Sequence, residues 1–78
     1  MTEQRGHERS AADVRHDMVR LLIEKVRRDP YPSGTMMDLI EEMLAPEDVP
    51  VYAGALMEKI QQDEFPSLDL MTRVRDLA

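Results

Sequence analysis

The side chains of this 78-residue chain that could carry chemistry are two histidines and sixteen acidic residues. Cysteine is absent, which removes thiolate catalysis, disulfides and Cys-ligated zinc. Asp13 and His16 stand one helical turn apart and could share a metal ion, but a zinc site needs a third and usually a fourth ligand. The other histidine, His7, falls in a stretch without apolar periodicity. Asp38, Glu41 and Glu42, or Glu47 and Asp48, could supply paired carboxylates for general acid–base work. On short helices of so small a domain such runs are expected to be a solvated face, with no pocket to shift their ionisation. Three glycines make no phosphate-cradling loop, and no serine sits in a strand–turn–helix elbow. The expectation is a protein with no catalytic residue, cofactor or metal.

Binding is the remaining chemistry, and the charge distribution constrains it. The net charge is −6. Residues 1–30 carry seven basic and six acidic side chains, whereas residues 31–66 carry Lys59 against eight acids. An acidic centre repels a phosphate backbone and disfavours direct nucleic-acid binding. The one basic cluster, Lys25, Arg27 and Arg28, reads as cations at the negative end of a helix dipole. A nucleic-acid-linked regulator is the alternative: helix one would touch phosphates through Arg20, Arg27 and Arg28, or the acidic middle would occupy a partner's basic groove. Six internal methionines (Met18, Met36, Met37, Met43, Met57 and Met71) suit irregular gaps in a core poor in aromatics. Adjacent residues such as Met36 and Met37 cannot both face one core, so one of them is available for a second contact.

Four helices must position these groups, over about 11–28, 34–45, 48–62 and 67–77, in one all-α domain at 10–78 behind a flexible tail at 1–9. Ser10, followed by Asp13, opens the first. Val14, Met18, Leu21, Leu22 and Val26 then recur at helical steps, and Pro30 stops the run. Met36, Met37, Ile40, Met43 and Leu44 form the second series, ended by Pro46. Tyr52, Ala53, Leu56, Met57 and Ile60 form the third, and Leu70, Met71, Val74 and Leu77 the fourth. No segment alternates long enough to argue a strand. No run approaches the roughly 20 apolar residues of a membrane span, and the polar N-terminus is unlike a secretory signal, so a cytoplasmic protein is expected.

Shifted by 34 residues, the chain matches itself. Residues 22–44 fall on 56–78 without a gap, with identities at Leu22/Leu56, Glu24/Glu58, Lys25/Lys59, Asp29/Asp63, Pro32/Pro66, Ser33/Ser67 and Met37/Met71. Apolar character is kept at six further pairs, among them Tyr31/Phe65 and Met36/Leu70. This pattern implies a duplicated helix–turn–helix unit, at 14–45 and 48–78, packed into a compact four-helix domain. The repeated turn reads Asp-x-aromatic-Pro-Ser. Asp29 and Asp63 suit Asx-turns, and Ser33 and Ser67 suit helix caps, with Thr35 and Asp69 as alternative caps two residues later; with serine at the cap, Pro32 and Pro66 would staple onto Met37 and Met71. Tyr31 and Phe65 are expected to fold over the end of the core. The competing reading makes the two turns, side by side, a partner dock.

Gly54 interrupts the third helix beside Ala53 and Ala55, which implies a close crossing by helix one and strong destabilisation by Gly54→Leu. The expected function is a small acidic interaction or regulatory module. Its contacts would come from Tyr31, Pro32, Phe65 and Pro66, with Met36, Met37, Asp38, Glu41 and Glu42 beside them. The expected partner is a protein with a basic patch, and a homodimer is a second expected association, because so small a core gains from covering an apolar stripe.

Overall fold

Three of the four helices begin at a serine whose hydroxyl accepts from the backbone N–H three residues on. Ser10 Oγ accepts from Asp13 at 3.1 Å, Ser33 Oγ from Met36 at 3.0 Å and Ser67 Oγ from Leu70 at 3.0 Å. Each satisfies one of the donors that a helix start leaves open. The computed structural model describes residues 10–78, so the expected tail, with His7, lies outside the described residues. The helices are α1 (Ala11–Arg28), α2 (Gly34–Met43), α3 (Val49–Gln62) and α4 (Leu68–Leu77). A 3-10 turn at Pro46–Asp48 leads into α3, and no strand occurs among the described residues. The fold is compact and all-α. No described helix is long and apolar enough to cross a membrane.

α2 stops two residues before its expected end. Leu44 and Ala45 are extended, Ala45 at φ −90° and ψ 160°. Pro46 imposes this on Ala45, since its ring disfavours helical geometry in the residue before it. Pro50 sits in the first turn of α3, where its missing N–H would have had no helical partner anyway.

α1 packs on α2 and on α3, and α3 packs on α4. The core between them takes Val19, Ile23 and Val26 from α1, Met37 and Ile40 from α2, Tyr52, Ala55 and Leu56 from α3, and Leu70 from α4. Burying each of the larger of these side chains is worth about 1.5–3 kcal/mol. Two expectations are corrected here. Val14, Met18 and Leu21 do not face the core; all three are exposed. α1 has two apolar stripes of identical spacing on different sides, 14–18–21 and 19–23–26, and periodicity cannot choose between them. Gly54 also lacks the close crossing expected of it. α1 does pack on α3, but a Cβ built on Gly54 would meet nothing within 4 Å.

Candidate functional site

The two Asp-x-aromatic-Pro-Ser turns are built alike, bond for bond. Asp29 Oδ1 accepts from the Tyr31 N–H at 2.9 Å, and Asp63 Oδ1 from the Phe65 N–H at 3.1 Å. The Asp29 and Asp63 N–H groups donate to the carbonyls of Lys25 and Lys59, closing α1 and α3. Met37 and Met71 donate to the carbonyls of Ser33 and Ser67, opening α2 and α4. The turns are also neighbours, since Pro30, Tyr31 and Pro32 line one small cleft together with Asp63, Ser67 and Leu70.

Neither aromatic ring covers the core. Tyr31 is 86% exposed and Phe65 84% exposed, which overturns the expected lid. Each aspartate fixes the backbone N–H of its aromatic residue, while the ring itself stays exposed. Lys59 closes this end of the core instead. It is buried, and its Nζ donates to the carbonyls of Arg27 at 2.8 Å and Asp29 at 2.6 Å. A cation there satisfies the open carbonyls at the end of α1 and lies at the negative end of its dipole. The only sequence signal for Lys59 was its identity with Lys25, which is exposed. Pro32 and Pro66 are half-buried, Met37 belongs to the core and Met36 is half-buried at its edge. Met71 is exposed, so the two expected staples are not equivalent.

The acidic residues of α2 do not form an acid–base pair. Arg73 of α4, which sequence reasoning missed, gathers them. Its Nη1 donates to Asp38 at 2.9 Å and Glu41 at 2.8 Å, and its Nε to Asp69 at 2.9 Å. Its Nη2 lies 3.4 Å from the Gly34 carbonyl. Burial acts to lower the Arg73 pKa, but the hydrogen bonds to Glu41, Asp69 and Asp38 more than reverse this and hold it above the ordinary arginine range. Tyr52 donates its hydroxyl to Glu41 at 2.7 Å. Burial first, then the bond to Glu41 and its charge, push the Tyr52 phenol well above the usual tyrosine value. These groups form a structural network joining α2, α3 and α4. Glu42 lies outside it and is exposed.

Asp48 corrects a further expectation. Glu47 is solvated, but Asp48 is buried beneath α1. Its Oδ2 lies 3.4 Å from the Ala45 N–H, within hydrogen-bond reach, while Oδ1 lies 3.5 Å from Arg20 Nε and 3.6 Å from His16 Nδ1. The histidine thus lies beside Asp48 of the 3-10 turn. Among the described residues no three or more His, Asp or Glu side chains are grouped to hold a metal ion. Comparison with protein-family models, with curated proteins and with solved structures finds no match to this chain.

Proposed function

We propose that this chain is a non-catalytic helical interaction module, made of two copies of one helical hairpin, 14–45 and 48–78, and working by the edge that its twin turns offer to a protein partner. The observation that carries this reading is the exposure of both Tyr31 and Phe65 on adjacent turns of matching hydrogen-bond geometry. The turns need their Asp, Pro and Ser to form, whereas the rings contribute little inside the domain. An exposed aromatic forgoes about 1.5–3 kcal/mol of burial that a partner could recover. Two rings, with half-buried Pro32 and Pro66 behind them, make a small apolar dock. Asp38 and Glu42 of α2 and Asp69 of α4 are exposed, and although Asp38 and Asp69 share Arg73 the group keeps a net negative charge, which favours a partner with a basic patch. Met36 lies at the edge of the core beside the α1 cleft and Met37 belongs to the core, so neither contributes to the dock. The duplication is supported by the 34-residue match and by the paired bonds of the two turns.

Affinity capture with crosslinking from the native host tests this, using wild type beside Tyr31→Ser and Phe65→Ser. The expected result is a partner held by wild type in a salt-sensitive manner and lost by both variants, with melting temperatures unchanged. Retention of that partner by both variants contradicts the dock.

A further inference from the structure

The 34-residue register relates not only the two hairpins but also their faces, and these faces are used differently. The first hairpin covers Asp48 of the 3-10 turn and Tyr52, Ala55 and Lys59 of α3, the first three of them at most 1% exposed. The equivalent positions on α1 are Val14, Met18, Leu21 and Lys25. The first three of these are 54%, 39% and 62% exposed. The opposite face behaves in the opposite way. Ile23 and Met37, which the first hairpin turns toward the second, are 1% and 2% exposed, while their equivalents Met57 and Met71 are 50% and 40% exposed. The hairpins are therefore stacked front to back. One apolar front remains bare on the first hairpin and one apolar back remains bare on the second.

The bare front has the shape of a site whose occupant is already visible elsewhere. A cleft of about 250 Å³ is bordered by Lys59, Gln62, Asp63 and Leu70 of the second hairpin and walled by Pro30 and Tyr31 of the first. The equivalent residues Lys25, Arg28, Asp29 and Met36 border a cleft of about 440 Å³ on the first hairpin. No turn from another hairpin walls this larger cleft; its other lining comes from Leu21 and Glu24 of the same helix.

We infer that a second copy of this chain docks there, laying the back of its second hairpin on the front of the first hairpin as the first hairpin lies on the second within one chain. This rests on the duplication proposed above. The occupant follows from the register, and the residues fit it. Lys25 would donate to the carbonyls of Gln61 and Asp63 of the second copy, as Lys59 does to those of Arg27 and Asp29. Glu24 would meet Gln61, as Glu58 meets Arg27 at 2.7 Å. The buried Asp48 contact with Arg20 becomes apolar, Val14 against Gly54, and the open space over Gly54 receives the neighbouring helix that its thin surface suits. The contact of Arg73 with Gly34 becomes Leu39 against Leu68, both exposed in the single chain. Such a front-to-back contact uses two different surfaces, so each added copy leaves one of each bare and assembly continues.

The test is sedimentation of the full chain from micromolar to millimolar concentration, beside Leu21→Glu (front) and Met57→Glu (back). Both residues are exposed, so each variant is expected to keep its melting curve. If either does not, Leu21→Gln or Met57→Gln replaces it. Wild type is expected to rise in mass with concentration past twice the 9.0 kDa monomer. Each variant alone should remain monomeric, and an equimolar mixture should give a one-to-one pair and nothing larger. A wild type that remains monomeric at millimolar concentration overturns the inference, as does one variant that still pairs with itself. Tyr31 stays exposed even at the junction within the chain, so loss of the turn dock and loss of stacking are read separately. A monomeric protein whose capture still depends on Tyr31 and Phe65 would retain the dock and reject the stack.

Discussion

The Tyr52 stripe of α3 and the Met18 stripe of α1 have the same spacing, lie 34 residues apart and end in the same lysine, yet one is sealed and the other is bare. The difference lies in what reaches each stripe from outside its own helix. On α3, α1 brings the carbonyls that Lys59 satisfies, and α2 brings Glu41 to the Tyr52 hydroxyl. On α1 no described element does the same for Met18 or Lys25. The residues suit these situations. On the sealed stripe the Tyr52 hydroxyl and the Lys59 ammonium have their partners supplied, whereas the bare one is apolar along Val14, Met18 and Leu21, needing only contact.

The largest expected contrast is between Tyr52→Ala and Met18→Ala. The first leaves a cavity and strips Glu41 of a donor, and should lower the unfolding free energy by about 3–5 kcal/mol. The second should cost under about 0.5 kcal/mol in dilute solution, as surface substitutions do. Urea denaturation at low protein concentration reads both, and similar losses would break the comparison. Next comes the lysine pair. Lys59→Met frees two carbonyls at the end of α1 and should cost about 2 kcal/mol, the range for hydrogen bonds to a charged group. Lys25→Met should leave monomer stability unchanged and weaken association alone. The smallest of the three contrasts sharpens the comparison at the back of α3. Gly54→Ala has room for its methyl and removes a flexible residue from a helix, so thermal melting should show a gain of about 0.5–1 kcal/mol.

The helices and their starts were legible because they follow from local chemistry. Ser10, Ser33 and Ser67 cap by reaching three residues along their own chain, and Asp29 and Asp63 bond a neighbour two residues on. Pro46 keeps Ala45 out of α2 by a rule equally local, the one by which Pro30 acts on Asp29. The orientation of α1 was not legible. Two apolar stripes on different sides satisfy the same periodicity, and the choice between them depends on where α3 arrives. The burial of Lys59 and Asp48 and the gathering role of Arg73 were not legible for the same reason. Their partners lie about thirty residues away in sequence, or across a helix pair, and nothing in their immediate neighbours marks them as buried. In the candidate dock, Tyr31 and Phe65 were legible as a pair through the 34-residue match. Their exposure was not, because an aromatic beside a proline can cap a core as readily as leave it.

The most direct test of the stacking claim uses the methionine methyl groups in an NMR dilution series of the wild-type chain. Met18 reports the bare front, Met57 and Met71 the bare back, and Met37 the core. On concentrating the protein, Met18, Met57 and Met71 should shift together while Met37 stays still. Resonances that all remain fixed, or a shift of Met18 without Met57 and Met71, would contradict front-to-back stacking.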